Sequence, residues 1–283
     1  METIRSLRSE EITDCIARLC ILACTELPHA VCTLLTDATD AELYTPAKEV
    51  LTLIQKNAAI AAEDGVPICQ DTGMAVVFAE VGQDVHIEGD TLENAVNAGV
   101  ACGYTKGWLR KSVVHDPIRR GNTGDNTPAV LHIRLVPGNH IKLTVSPKGF
   151  GSENMSRLVM LTPADGLEGL KAFVLETVKL AGANPCPPMM LGVGIGSTFE
   201  GVALLAKEAL VEMREGPHPD PYYDALEKEL LSMINRTGIG PQGFGGLTTA
   251  LSVRIKAAPT HIAGLPVAVN MGCHVTRHAT ETL

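Results

Sequence analysis

The sequence predicts an α+β fold, in which a helical N-terminal region is followed by mixed strands and helices. Apolar residues recur at helical spacing from residue 9 to residue 63. After Gly65, short β-prone runs alternate with further helical stretches. Some of these runs are joined by turns rather than helices, which favours a mixed sheet over a regular parallel one.

The elements follow in order along the chain. Helices are predicted at 9–26, after Pro28, and at 45–63, and Ser9 is the expected N-cap of the first. A strand at 74–81 and a helix at 91–110 come next. The runs 129–136 and 141–147 predict a β-hairpin across the turn PGNH. The remaining elements are a helix at 166–182, a buried strand at 189–196, helices at 198–214 and 224–236, and two strands, TTALSVRIKA and LPVAVNMG.

The length of 283 residues suits one enzyme domain, 1–283, or two lobes around a site, with a candidate boundary near 183–190. A formal charge of −9 and an aromatic content of 4 % argue against a nucleic-acid surface or binding to an anionic membrane. The N-terminus has no secretory pattern, and no run approaches 18 uninterrupted apolar residues. We therefore expect a cytoplasmic protein.

Eight cysteines without a secretory signal indicate thiols or metal ligands rather than disulfides. Five lie in helical patterns and are expected to be core residues: Cys15, Cys20, Cys24, Cys32 and Cys102. Three others, Cys69, Cys186 and Cys273, lie in Pro- and Gly-bounded turns at the ends of elements. Three thiolates on one cubane cluster would leave an open iron, although their long spacing also permits three unrelated residues.

Polar loops surround these three cysteines. Gln70 and Asp71 follow the first, and Asp71 is either a chemical group or the acceptor of an Asx turn. Arg110 and Lys148 are candidate partners for an anion, and the glycines of KGFGSEN offer backbone N–H groups to a carboxylate. The stretch GVGIGS fails the G-x-G-x-x-G pattern, so a dinucleotide site is rejected.

Taken in order, CQDTG, NTGDNTPA, KGFGSEN, NPCPPMMLGVGIG and PTHIAGLPVAVNMGC resemble the class I, iron–sulfur-dependent fumarate hydratases. The resemblance is greatest to the α subunit of the two-subunit form, which is similar to the tartrate dehydratase α subunit. It implies a [4Fe–4S] cluster on Cys69, Cys186 and Cys273. It also implies reversible hydration of fumarate to malate, with the dicarboxylate bound to the iron that has no cysteine ligand and with that iron acting as a Lewis acid.

The resemblance also implies roles for single residues. Gln70, Arg110 and Gly151 would contact the substrate, and Asp71 would act as the acid–base group with His261 beside it. The phenylalanine in KGFGSEN replaces a glycine common in single-chain relatives. Because the sequence stops before the second domain of those relatives, we expect a β subunit that completes the site in a hetero-oligomer.

Three alternatives stay open from the sequence. The same chemistry would serve a tartrate dehydratase or a mesaconate hydratase α subunit. The cluster would be non-catalytic if a fourth ligand closed it. A zinc-stapled scaffold is the third alternative.

Overall fold

The computed structural model describes residues 4–212 and 216–283. Its backbone elements, in chain order, are β1 (Arg5–Arg8), α1 (Ser9–Thr25), α2 (His29–Ala41), α3 (Thr45–Asp64), β2 (Met74–Gly82), β3 (Val85–Glu88), α4 (Leu92–Lys106), β4 (Val130–Val136), β5 (Ile141–Lys148), α5 (Phe150–Glu153), β6 (Arg157–Leu161), α6 (Gly166–Ala181), β7 (Met189–Ser197), α7 (Phe199–Val211), α8 (Pro221–Asn235), β8 (Ala250–Thr260), β9 (Leu265–Gly272) and β10 (Ala279–Thr282). The predicted α+β class, with helices first and mixed sheets after them, is confirmed.

The chain divides into two compact units. The first unit comprises Met1–Pro28, Ala58–Gly149 and Arg277–Leu283, and the second comprises His29–Asn57 and Phe150–Thr276. The boundary considered near 183–190 lies inside the second unit.

The first unit contains a four-stranded sheet in the order β10-β5-β2-β4. Strand β2 is parallel to β4 and antiparallel to β5, so it lies between the two strands that were predicted to form a hairpin. The hairpin prediction is wrong. The near-continuous burial of β2 fits a central strand. The backbone N–H groups of residues 82–84, at the end of β2, donate to carbonyl oxygens at the end of β4 and in the loop that follows it.

Helices α1 and α4 cover one face of this sheet. Ile12, Ile16, Val96 and Val100 are fully buried in the same core cluster as the sheet residue Val77. Glycines on α4 allow close packing with α1, since a Cβ at Gly99 would lie 2.6 Å from the Cβ of Ile16. Burial of an aliphatic side chain contributes about 1.5–3 kcal/mol, so this core holds the first unit together.

The predicted cap of α1 is wrong by one position. Arg8 is the N-cap, and its backbone N–H donates to Glu11 Oε1 at 3.2 Å. Ser9 begins the helix instead, and its hydroxyl accepts a hydrogen bond of 3.1 Å from the backbone N–H of Asp90.

The second unit contains a four-stranded sheet in the order β6-β9-β7-β8. Strand β7 is parallel to β8 and antiparallel to β9. Helix α7 packs closely against β7. A Cβ added at Gly192 would lie 2.1 Å from the Ala206 carbonyl oxygen, and a Cβ added at Gly194 would lie 2.3 Å from the Val202 carbonyl oxygen. The glycines of GVGIGS therefore allow close helix–strand packing.

One helical stretch, Ser9–Ala41, has the length and mean hydropathy, 1.6, of a membrane-spanning helix. It consists of α1 and α2, which are separated by residues 26–28. The apolar residues of α1 are used in the core of the first unit.

Candidate active site

The loop Cys69–Gly73 of the first unit enters β2 and is held by three buried side chains. The Tyr104 hydroxyl donates to the carbonyl oxygen of Thr72 at 2.7 Å. Asn126 Nδ2 donates to the Gly73 carbonyl at 3.1 Å, and Arg277 Nη2 donates to the Asp71 carbonyl at 2.6 Å. These three hydrogen bonds fix the backbone of the loop.

Asp71 forms the Asx turn that its sequence context suggested. Its Oδ1 accepts a hydrogen bond of 3.1 Å from the Gly73 N–H. The other oxygen, Oδ2, lies against Gly149, where an added Cβ would be 2.9 Å away. The turn fixes the direction of the carboxylate, so a structural role for Asp71 does not exclude a chemical one.

Cys69 lies half-buried at the start of this loop. Its Sγ accepts a hydrogen bond of 3.4 Å from the backbone N–H of Asp71. Backbone N–H groups also donate to the sulfurs of protein-bound iron–sulfur clusters, so this geometry suits a cluster ligand.

Three cysteines of α1 lie in the core. Burial raises the pKa of Cys24 to about 11 and that of Cys15 to about 12, and it also raises the pKa of Cys20. These three are buried, as predicted, and protonated. Cys102 is partly buried, whereas the prediction of a core position is wrong for Cys32, which is exposed on α2.

Of the predicted substrate residues, Gln70 lies in the Cys69 loop and Arg110 lies beside it. The Arg110 carbonyl oxygen accepts a hydrogen bond of 3.0 Å from Thr72 Oγ1, and Arg110 is an exposed residue. Gln70 is exposed next to Cys69, with its Oε1 3.5 Å from Sγ. The first unit therefore groups Cys69, Gln70, Asp71 and Arg110.

The second unit brings Cys186 and Cys273 to one end of its sheet. Cys186 precedes β7 and Cys273 follows β9, and the two strands are antiparallel with Met190 opposite Gly272. His274 links the two turns, since its Nδ1 lies 2.9 Å from the Cys186 carbonyl oxygen. Gln242 Nε2 lies 3.2 Å from the same ring nitrogen and donates to the Pro187 carbonyl at 2.7 Å.

The backbone of Cys186 is in the left-handed region, with φ of 56°. A non-glycine residue in this conformation costs about 1–3 kcal/mol and is found most often at functional sites. The side chain is exposed, whereas the flanking prolines are buried. The turn therefore presents the thiol outward from a fixed base.

Gly151 and His261 lie at different places in the second unit. A Cβ at Gly151 would be 3.8 Å from the carbonyl oxygen of Asn184, which places the glycine near the Cys186 turn. His261 is exposed in the connection before β9, and its Nδ1 accepts from Ala263 N–H at 3.1 Å. The eight residues of β9 separate it from Cys273 by roughly 25 Å at about 3.4 Å each. The structure thus does not bring His261 to the cysteine end of this sheet, and its pairing with Asp71 stays a prediction.

Among residues 4–212 and 216–283, no three His, Cys, Asp or Glu side chains are grouped to hold a single metal ion. The surroundings of the cysteines, taken one unit at a time, nevertheless suit ligands of an iron–sulfur cluster, which is larger than a single metal ion. Cys69 has an N–H donor to sulfur, and Cys186 and Cys273 share one sheet end. The meeting of all three around one cluster stays a prediction.

Sequence reasoning missed the residues that hold the loops. Asn126 is fully buried, and its Oδ1 accepts from the backbone N–H of Ser112 at 2.6 Å. It lies in the NTGDNTPA motif, and its position after a polar turn was the only sequence feature that could have indicated an anchoring role. Arg277 and His274 follow the last long strand, and no periodic pattern identifies them.

Comparison with known proteins identifies the family. A family profile described as "Fumarate hydratase (Fumerase)" matches residues 13–282. A protein of Methanocaldococcus jannaschii, provisionally named L(+)-tartrate dehydratase subunit alpha, is 40 % identical over 278 residues, which cover 96 % of this chain and 98 % of the relative. The L(+)-tartrate dehydratase subunits alpha of Escherichia coli strains K12 and O157:H7 are 31 % and 32 % identical over 273 residues, or 95 % of this chain and 90 % of each relative.

The profile covers nearly the whole chain, including every predicted site residue. The protein therefore belongs to the fumarate hydratase (Fumerase) family of hydro-lyases.

Proposed function

We propose that this chain is the α subunit of an iron–sulfur hydro-lyase that dehydrates L(+)-tartrate. The observation that carries the proposal is the full-length similarity, at 31–40 % identity, to proteins named as tartrate dehydratase α subunits. Fumarate hydration, the activity expected from the sequence motifs, is the second candidate and rests on the family description. Mesaconate hydration has no finding of its own in its favour.

Cys69, Cys186 and Cys273 are the residues that would hold a [4Fe–4S] cluster. When bound, such a cluster supplies an iron with an open coordination position that acts as a Lewis acid on a substrate oxygen. The hydrogen bond from Asp71 N–H to Cys69 Sγ, at 3.4 Å, and the outward turn at Cys186 support this assignment.

Residues of this chain would bind the dicarboxylate and transfer a proton. Arg110 would bind one carboxylate by charge-assisted hydrogen bonds. The Asp71 carboxylate, oriented by Gly73 N–H at 3.1 Å, would exchange a proton with the hydroxyl oxygen that leaves as water. Loss of water from tartrate breaks one C–O and one neighbouring C–H bond, and the resulting enol tautomerises to a 2-oxo acid.

The relatives are named subunits alpha, so we also propose a β subunit that supplies the rest of the site. His261, which lies roughly 25 Å from Cys273 along the eight-residue β9, is not used in this scheme.

The test is a substrate comparison with the complete enzyme. The chain and its proposed partner are purified together without oxygen, and iron and sulfide are measured before tartrate, malate, fumarate and mesaconate are compared at equal concentrations. We expect about four iron and four sulfide per chain and the highest kcat/KM for tartrate, with a 2-oxo acid as product. A higher kcat/KM for malate or fumarate would replace tartrate by the second candidate, and a preparation with zinc and no sulfide would overturn the cluster.

A further inference from the structure

Glu153 is the last residue of the short helix α5 (Phe150–Glu153), which carries Gly151. Four residues form a single helical turn, and a turn of this length is not stable by its own hydrogen bonds. A tight connection follows, in which the Ser156 N–H donates to the Glu153 carbonyl oxygen at 3.0 Å. The position of Gly151 therefore depends on the contacts that α5 makes with other elements of the second unit.

The Glu153 carboxylate is held from two sides. Its Oε1 pairs with the ammonium group of Lys207 on α7, and its Oε2 accepts a hydrogen bond of 2.9 Å from Asn270 Nδ2 on β9. The Lys207 side chain is 14 % exposed and that of Glu153 is 27 % exposed, so solvent screens this pair less than a surface pair. One side chain thus joins α5 to a helix and to a strand of the sheet.

Asn270 extends this contact to the connection after α5. Its Nδ2 also donates to Ser156 Oγ at 3.0 Å, and the same Oγ accepts from the Met271 N–H at 3.0 Å. Asn270 is buried, and its Oδ1 is enclosed without a hydrogen-bond donor among the described residues. Enclosing that oxygen lowers stability, so the two hydrogen bonds from Nδ2 are what this side chain contributes.

The contacts of α5 lead to both cysteine turns of the second unit. A Cβ added at Gly151 would lie 3.8 Å from the carbonyl oxygen of Asn184, which precedes Cys186 by two residues. Asn270 precedes Cys273 by three residues on the same strand and its exit. The carboxylate that binds Asn270 therefore connects the glycine turn to the segment that ends at Cys273.

We propose that Glu153 is a positioning residue, which holds the turn carrying Gly151 at a fixed distance from Cys273 so that backbone N–H groups of the turn meet a carboxylate of the substrate. A partly buried ion pair is a weak source of stability, because loss of hydration offsets much of the attraction. A pair with partners on two elements nevertheless defines where the turn lies. The inference rests on the proposed function, since it requires a dicarboxylate at the glycine turn.

Removal of the carboxylate is the first test, made in the complete enzyme with the dicarboxylate that wild type turns over best. In Glu153→Ala the turn loses its anchor, and we expect KM to rise about tenfold or more while kcat falls by less than about threefold. Glu176→Ala is the matched control, because Glu176 Oε2 lies 3.0 Å from Arg157 Nη1 in the same unit but its side chain is 58 % exposed. The KM of this control should equal that of wild type.

A charge-free replacement separates position from charge. In Glu153→Gln combined with Lys207→Met, the amide oxygen still accepts from Asn270 Nδ2, and no ammonium group is left without a counterion. We expect this double variant to have a KM within about threefold of wild type. A KM as high as that of Glu153→Ala would show that the charge of Glu153 matters rather than the position of the turn, and the proposal would be wrong.

Hydrogen exchange tests the turn in the full chain without substrate or cluster. The N–H groups of Asn154, Met155 and Ser156 donate to carbonyl oxygens within residues 150–153. In Glu153→Ala they should exchange about tenfold faster or more than in wild type, while the amides of α6 keep their rates. Unchanged exchange at these three amides, or faster exchange throughout the second unit, would contradict a local positioning role.

The two proposals fail separately. A wild-type enzyme that prefers malate or fumarate to tartrate removes the proposed substrate and leaves the comparison of variants intact. A wild-type KM in Glu153→Ala, or an equal rise of KM in Glu176→Ala, removes the positioning role and leaves the assignment of the substrate unaffected.

Discussion

The guanidinium of Arg277 donates a hydrogen bond of 2.6 Å to the backbone carbonyl oxygen of Asp71, across 206 positions of the chain. Arg277 is 3 % exposed, and its own carbonyl accepts from Ser146 Oγ at 3.0 Å. The residue that we place in the proton transfer is thus held by a segment that no motif indicated.

Replacing Arg277 by alanine should therefore affect both stability and turnover. The Asp71 carbonyl would lose a buried charged donor, so we expect unfolding free energy to fall by about 1–3 kcal/mol. We also expect kcat to fall more than KM rises, because the loop backbone loses an anchor. Urea unfolding and steady-state kinetics measure the two effects.

Arg18→Ala is the control for Arg277→Ala. Arg18 likewise donates a hydrogen bond through its guanidinium, in this case to the Glu281 carboxylate, but its side chain is 58 % exposed. An exposed ion pair contributes only about 0–1 kcal/mol to stability, so the unfolding free energy of Arg18→Ala should change little. We also expect its kcat to be unchanged. Equal losses in the two variants would show that Arg277 has no particular role at the loop.

Asp71→Asn separates the turn from the chemistry. The amide oxygen still accepts from Gly73 N–H, so the loop and the visible absorption of the cluster should persist. The amide does not take up a proton, so turnover should fall by about 10²–10⁴-fold. Near-wild-type kcat, with an intact absorption spectrum, would remove Asp71 from the mechanism.

Gly149→Ala tests whether the direction of the Asp71 carboxylate matters. The new methyl carbon would lie 2.9 Å from Oδ2, closer than carbon and oxygen normally approach, so the carboxylate must rotate. We expect kcat to fall about tenfold, which corresponds to about 1.4 kcal/mol, while the unfolding midpoint changes little. Gly121→Ala is the control, since its nearest neighbour would be 3.9 Å away and both properties should be retained.

Gly194→Ala should destabilise the second unit. The added carbon would lie 2.3 Å from the backbone oxygen of Val202, and a helix backbone does not move aside as a side chain does. We expect a loss of about 1–3 kcal/mol or more by urea unfolding. Gly264→Ala, with nothing closer than 3.9 Å, should cost far less, and a similar loss at both sites would refute the packing role of GVGIGS.

His278 should make stability depend on pH. Burial lowers the pKa of His278 below its ordinary value, and its Nδ1 has no hydrogen-bond partner among the described residues. The unfolded chain then binds a proton at higher pH than the folded chain does. The neutral His278 therefore contributes fully to the unfolding free energy above about pH 6.5, and this contribution is lost as the pH falls toward the lowered pKa.

Unfolding of wild type and His278→Asn, compared between about pH 7.5 and about pH 5.5, measures this contribution. The variant should lose less stability on acidification than wild type. His86→Asn, at an exposed position on β3, should behave like wild type. An unchanged pH slope in His278→Asn would contradict the prediction.

Local patterns identified most of the helices and strands, because periodicity reports which face of an element is buried. They failed where a distant strand decides the outcome, as when β2 inserts between β4 and β5. The same distinction applies to the site. Motifs indicated Cys69, Asp71 and Cys186, whereas Arg277 and His274 act through single long-range hydrogen bonds that leave no local pattern.

The separation of these contacts along the chain also constrains when the loops become ordered during synthesis. Arg277 follows Asp71 by 206 positions, and His274 follows Cys186 by 88 positions. In a nascent chain emerging from the ribosome, Tyr104 and Asn126 are available to the Cys69 loop long before Arg277 is. Each cysteine turn therefore receives its last anchor only after residues 274–277 have been translated. The final ordering of both turns is consequently expected to come late, when most other elements of the chain have already been translated.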